Sequence, residues 1–273
     1  MATPDRFNDR MHAGKLLAKR LSAYAKRADV LVLALPRGGV PVGFAIAQAL
    51  GAELDIMLVC KLGLPGHEEY AMGAVGAGGL RVLQFGLLES GLVTAETIEQ
   101  CAGRALGEIA RRDRLYRAGR APPDLTGRCV ILVDDGIATG ASLRAAIEMV
   151  RQSKVATLVV AVPVGPLESV AALAPEVDQL VCLVTPPDFH AVSQCYRRFE
   201  QTSDAEVQHL LAIAWRNTPA RGEHTEYTAP AADTAYAAPA TPAAPATSAT
   251  SASHTVHAAH RAPGHRAPQP KTS

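Results

Sequence analysis

The chain has 273 residues, 48% of them hydrophobic and 19% charged, with a formal net charge of +1. That length allows one large domain or two small ones, and the near-neutral balance argues against a dedicated nucleic-acid binder, whose footprint would be a pI above roughly 9. No apolar run approaches the roughly 18 residues a spanning helix needs, and Met1 to Arg10 is too polar for a signal peptide. The expectation is a cytoplasmic protein that works without membrane or nucleic acid.

In chain order, Leu16, Leu17, Leu21 and Tyr24 recur at helical spacing and predict an N-terminal helix. Residues 30–35 form a continuous apolar run too short for a helix, and further runs of this kind occupy 54–60, 129–133, 157–162 and 179–184. Helical patterns separate them at 42–50, 94–116, 142–151 and 167–173, and a last one covers 202–215. Uniformly apolar strands separated by helices mean a parallel sheet buried on both faces, an α/β doubly wound domain. Ligands bind such sheets beyond the carboxyl ends of the strands.

Two segments depart from this alternation. Between Lys61 and Val93 there is no clear helix, and Gly73-Ala-Val-Gly-Ala-Gly-Gly79 before the apolar run 80–85 predicts a glycine-rich hairpin. A long excursion inside a compact domain is usually a functional loop or lid. His67, Glu68, Glu69 and Tyr70 lie in it; no second histidine stands at position 71 to make a zinc motif. Glu68 and Glu69 are lid candidates, with a solvated charge pair as the alternative. The other segment is 185–201, a small hood carrying Pro186, Pro187, Phe189 and Tyr196.

The basic run Arg111-Arg-Asp-Arg-Leu-Tyr-Arg117 reads mainly as the wet face of the 94–116 helix, with an anion collector as the lesser alternative. Five cysteines without a Cys-x-x-Cys pair read as buried free thiols. Residues 217–273 are rich in Ala, Pro, Thr, Ser and His and nearly free of Leu, Ile and Phe. Such a segment buries too little apolar surface to offset its conformational entropy, so a disordered tail is expected after a domain spanning 1–216. Its histidines, among them His254, His257, His260 and His265, fit a solvated low-complexity segment better than a metal site.

The strongest chemical signal is Cys129-Val-Ile-Leu-Val-Asp-Asp-Gly-Ile-Ala-Thr-Gly-Ala-Ser142, a strand that runs into two acids, a loop of small residues and a helix start. Small residues at Gly136, Ala138, Gly140 and Ala141, with Ile137 among them, let backbone N–H groups approach a phosphate, and the helix N-terminus adds its positive end. Thr139 and Ser142 offer hydroxyl donors to the same anion. Asp134 and Asp135 are acceptors for neighbouring hydroxyls, such as the vicinal diol of a ribose beside a 5′-phosphate. A Walker A loop would need Gly-Lys-Ser/Thr here, and there is no lysine.

This motif resembles the signature of the type I phosphoribosyltransferases for phosphoribosyl pyrophosphate (PRPP): four apolar residues, two acids and a loop of the Ile-Ala-Thr-Gly kind. Residues 130–142 match at every position but Gly136, where the family usually has an aliphatic residue. The general likeness covers about 28–200, and the core from Arg6-Phe-Asn-Asp-Arg10 through the hood is similar to bacterial predicted phosphoribosyltransferases of unassigned substrate.

The resemblance implies a doubly wound parallel sheet of the type I phosphoribosyltransferase kind, with the glycine-rich hairpin as lid (61–93), a small C-terminal hood (185–201) and the disordered tail. It places a pyrophosphate loop at Leu35-Pro-Arg-Gly-Gly-Val-Pro-Val-Gly43, where Arg37 offers a fork-shaped cation and Gly38 and Gly39 expose N–H groups. A strained non-proline peptide bond is implied between Arg37 and Gly38. Lys61, expected at the end of the second strand, matches a basic position near the pyrophosphate, with an ordinary strand-end lysine as alternative. Phe189 would stack on a planar acceptor, with Asp188 or backbone groups reading its edge, or else act as a hydrophobic plug.

The implied activity moves the 5-phosphoribosyl group of PRPP to a nitrogen acceptor, a nucleobase being the first choice, with release of pyrophosphate. Mg²⁺ would be held mainly through PRPP, and a homodimer stays open as the assembly. The alternative on the same fold is a non-catalytic PRPP sensor or partner-binding module.

Overall fold

The computed structural model describes residues 6–64, 67–76, 81–83 and 93–217, without the side chains of 67–71, 82 and 217. The tail expected after the domain lies outside the described residues. In chain order the elements are α1 (Arg10–Arg20), β1 (Val30–Ala34), α2 (Gly39–Leu50), β2 (Glu53–Ile56), β3 (Val59–Leu64), β4 (His67–Gly76) and β5 (Arg81–Leu83). They continue as α3 (Ala95–Arg117), β6 (Cys129–Val133), α4 (Ala141–Gln152), β7 (Thr157–Val164), α5 (Leu167–Leu173), β8 (Gln179–Val184) and α6 (Asp204–Asn217).

Five strands form one parallel sheet in the order β2-β1-β6-β7-β8. Every residue of β1 and β6 is buried, because helices cover both faces. Successive side chains of a strand alternate between faces. Val30, Val32 and Ala34 accordingly pack with Leu17 of α1, Ile46 of α2 and Leu211 of α6, while Leu31 and Leu33 pack with Ile147 and Val150 of α4. That is the doubly wound architecture the continuous apolar runs predict.

The apolar run 54–60 is two strands, not one. β2 stops at Ile56, and the Met57 N–H donates to the Ala34 carbonyl at 2.9 Å. The chain then enters a separate antiparallel sheet, β3-β4-β5. No glycine, proline or other turn residue stands between Ile56 and Val59, so the sequence carries no mark of the break. Lys61 consequently sits inside β3, paired with Ala74 of β4, and not at the end of a core strand.

The glycine-rich hairpin is present as the antiparallel pair β4 and β5, with Gly73 opposite Leu83 and Val75 opposite Arg81. Gly73 and Gly76 are strand residues of β4, opposite Leu62 and Val59 of β3. A Cβ on Gly76 would lie 2.4 Å from Met149 Sδ, so the small residue lets this sheet pack against α4. The base of the expected lid is thus an anchored sheet.

Arg117 departs from the wet-face expectation for the 111–117 run. It is only 4% exposed. Its Nε donates to Asp55 Oδ1 at 3.0 Å, its Nη2 donates to the Ile56 carbonyl at 2.8 Å, and it pairs with Asp113 one turn earlier. Arg111 and Arg112 do stay at the surface, both bonded to Glu108. All five cysteines are free, with Cys101, Cys129 and Cys195 buried as expected and Cys60 and Cys182 half-buried. Among the described residues no helix is long and apolar enough to cross a membrane.

Candidate active site

From β1 the chain steps to β2 on one side, while β6 lies on the other, so connections diverge at the carboxyl ends of β1 and β6. A crevice opens at such a switch point. The two loops that leave it, 35–38 and 134–140, touch. The Leu35 N–H donates to the Val133 carbonyl at 2.9 Å. A Cβ on Gly38 would stand 2.0 Å from Asp135 Oδ2, and one on Gly39 would stand 2.7 Å from the Val133 carbonyl oxygen. Only glycine fits between the turn and the double acid. The cis peptide bond of this turn joins Pro36 to Arg37, one residue earlier than the family resemblance implied.

Gly38→Ala should therefore displace the Asp135 carboxylate and, for the PRPP ligand that the sequence resemblance implies, weaken binding by about tenfold or more, with little change in thermal stability. Calorimetric titration with PRPP and magnesium measures it, and an unchanged affinity would contradict the tight loop contact.

The two acids differ in their surroundings. Asp134 Oδ1 accepts from the Asp135 N–H at 2.8 Å. Asp135 Oδ2 accepts from Arg10 Nε at 2.8 Å, and its carbonyl accepts from the Tyr196 hydroxyl at 2.6 Å. Burial, and then the neighbouring Asp135 charge, push the Asp134 carboxyl well above the usual carboxylate range. Burial raises Asp135 as well, but the Arg10 guanidinium pulls it back down. The pair therefore carries its negative charge chiefly on Asp135. Burial, followed by the Asp135 charge, raises the Tyr196 hydroxyl in turn.

Beyond the acids, a Cβ on Gly136 would meet Val192 Cγ1 at 2.6 Å. A hood valine fills the space of the aliphatic side chain that the resemblance led one to expect. Ile137 is buried and its N–H donates to the Val164 carbonyl at 2.8 Å, so it belongs to the core and not to a cradle. Ala138, Thr139 and Ser142 form an exposed rim. Thr139 Oγ1 accepts weakly from the Ala141 N–H at 3.4 Å, and Gly140, left-handed at φ 78°, caps α4.

Arg37 lies across the crevice, 3.5 Å from Asp204 at the start of α6, and both side chains are partly exposed. The same Asp204 oxygen accepts from the Tyr116 hydroxyl at 2.6 Å, and burial raises that hydroxyl to about 12. Phe189 is half-buried, packed against a hood cluster that includes Phe7, Val164, Val192 and Tyr196. Asp188 is exposed and its carbonyl accepts from Gln194 Nε2 at 2.8 Å. Lys61 stands in the small sheet, and the side chains of His67, Glu68, Glu69 and Tyr70 lie outside the described residues.

Sequence reasoning missed Arg10, Phe199 and Asp204 as neighbours of the site. One hint existed for Arg10. Asp9 caps α1, its Oδ1 accepting from the His12 N–H at 2.8 Å, which puts Arg10 in the first turn. A cation there opposes the helix dipole, so a partner elsewhere has to hold it.

A family model described as a phosphoribosyl transferase domain matches residues 6–197. Proteins of two Mycobacterium tuberculosis strains, provisionally named phosphoribosyl transferases, are 45% identical over 216 residues. The match covers 79% of this chain and 48% of theirs, so the chain spans about half the length of the curated relatives it matches. The crystal structure of TT1426 from Thermus thermophilus is 43% identical with a TM-score of 0.70, over 76% of this chain and 98% of that one. The matched span takes in both loops of the crevice, the double acid and the hood that closes over it, and the chain belongs to the phosphoribosyl transferase domain family.

Proposed function

We propose that the domain binds magnesium PRPP across the β1 and β6 loops and transfers its 5-phosphoribosyl group to a nitrogen acceptor, a nucleobase first among them, with release of pyrophosphate. The observation that carries this reading is the contact of the Gly38–Gly39 turn with Asp134 and Asp135 at the switch point. On this reading the diphosphate at the turn and the ribose at the acids lie side by side.

The exposed hydroxyls of Thr139 and Ser142 and the N-terminus of α4 suit the 5′-phosphate. Asp134 and Asp135 suit the ribose hydroxyls and stand near the positive charge that grows on the ring as the diphosphate departs. Arg37 is held by Asp204 at only 3.5 Å in a partly exposed place, and such pairs contribute little in water. It can therefore turn to the diphosphate. Magnesium held through PRPP would supply charge neutralisation to the departing diphosphate, a task Arg37 would share. The protein is left with positioning, electrostatics and exclusion of water.

A non-catalytic PRPP sensor is the second reading. The Arg10–Asp135 ion pair favours it, because it engages one of the two acids. Calorimetry with PRPP and magnesium, followed by a nucleobase screen that monitors nucleotide and pyrophosphate, separates the two. Nucleotide formation supports the transferase, tight binding without transfer to any base supports the sensor, and no binding overturns both.

A further inference from the structure

Arg10 enters the ribose site from α1, yet the transfer chemistry gives it no task. We propose that Arg10 is a positioning residue for the double acid: it fixes the Asp135 carboxylate at one point over the pyrophosphate turn, so that the acid is preset for the ribose hydroxyls before PRPP arrives. The proposal rests on the transferase reading for the identity of the ligand.

Three constraints act on this one guanidinium. Nε donates to Asp135 Oδ2 at 2.8 Å, Nη1 donates to the Glu200 carbonyl at 2.7 Å, and Cζ lies over the Phe199 ring, 3.8 Å from its centroid. Phe199 packs in turn on Tyr196, with ring centroids 4.9 Å apart, and the Tyr196 hydroxyl donates to the Asp135 carbonyl at 2.6 Å. One hood unit therefore grips Asp135 at both ends, the carboxylate through Arg10 and the backbone through Tyr196. The Arg10 side chain is 11% exposed and that of Asp135 is 17%, so the pair is shielded from the screening that weakens surface pairs. A pair needing charge alone would accept lysine. Stacking and two directed bonds at once require the planar fork.

The groups facing Asp135 are Arg10 from α1, Asp134 from its own loop, Tyr196 from the hood and the Gly38 backbone from the turn. The Arg37 side chain pairs with Asp204 instead.

The test is PRPP titration with magnesium, on the full chain, between about pH 5 and 8, for wild type, R10Q, R10K and R198Q. R10Q should weaken PRPP by ten- to a hundredfold at neutral pH, on the order of one to two factors of ten. Without its cation Asp135 takes up a proton more readily, so the acid limb of the affinity profile should move to higher pH. R10K should restore the acid limb but only part of the affinity. R198Q removes an ion pair of 2.5 Å with Asp9 at the same hood–α1 junction, through a side chain 67% exposed, and should change neither.

An R10Q protein with wild-type affinity and acid limb overturns the proposal, and so does an R198Q protein that reproduces the R10Q loss, since hood docking alone would then explain it. Circular dichroism checks each fold. Should R10Q not fold, R10K decides: full wild-type affinity sinks the need for the fork. Wild type failing to bind PRPP is a distinct result that strikes the transferase reading and takes this one with it.

Discussion

Replacing both acids of the β6 loop, Asp134→Asn with Asp135→Asn, should strongly weaken PRPP binding and leave the domain folded. The Asp135 carboxylate, which carries the charge of the pair, accepts from a ribose hydroxyl in a hydrogen bond worth roughly 1.5–3 kcal/mol, and Asp134 adds a neutral one worth roughly 0.5–1.5 kcal/mol. Losing both lowers affinity by roughly 10–10³. The amides keep the shape, so the loop contact with Gly38 and Gly39 survives. At position 134, where burial and the neighbouring charge already favour the protonated acid, a neutral amide is close to what the fold holds. Calorimetry reads the first expectation and thermal unfolding the second. A double variant that bound PRPP as tightly as wild type would remove the central claim.

The largest effect on stability is expected from Arg117→Met. Its guanidinium is buried against Asp55 and Asp113 and also holds the Ile56 carbonyl at the end of β2. Taking away one partner of a buried pair costs about 3–5 kcal/mol, because the other charge stays behind. Asp55 has no reserve: it is 1% exposed and its Oδ2 has no hydrogen-bond partner. For a domain of this size each kcal/mol lowers Tm by roughly 2–4 °C, so a fall of about 6–20 °C is expected by calorimetric unfolding.

The deficit should depend on pH. Burial holds Asp55 above its ordinary value, with Arg117 pulling it back. Loss of Arg117 raises it further. A carboxyl raised in the folded state binds more protons folded than unfolded, so stability grows as pH falls toward the folded value and shrinks as pH rises past it. The gap between variant and wild type should narrow from pH 8 to pH 5. A gap that widened on acidification would show that Asp55 is not the group left stranded.

The parallel sheet was legible because a strand buried on both faces reads as an unbroken apolar run, as in residues 30–35 and 129–133. The loop after β6 was legible because chemistry there depends on local order: strand, two acids, small residues, helix. What stayed hidden has a common cause. The step from β2 to β3 happens between Ile56 and Val59, where no turn residue stands, so nothing in the pattern marks residues 57–58. Lys61 was misplaced with it. Arg117 looks like its neighbours on α3 until β2 supplies Asp55, 62 residues away. Arg10 acquires its meaning from Asp135, 125 residues on, and from Glu200. Spacing along a chain reports helix faces and strand faces. It does not report which buried charge meets which.

The 190 residues between Arg10 and Glu200 also fix an order of events during synthesis. At about 5–20 residues per second, roughly 10–40 s separate the emergence of the two from the ribosome. In that interval β1, β6 and the helices between them can collapse, but the roof over the double acid has only its amino-terminal half. The bonds that finish it, Phe7 N–H to the Cys195 carbonyl at 2.8 Å and Arg197 N–H to the Phe7 carbonyl at 2.8 Å, wait for the segment after β8 to be made. A nascent chain arrested before Cys195 would hold the strands with an open, unguarded crevice, and full ligand affinity would wait until residues 195–200 have emerged.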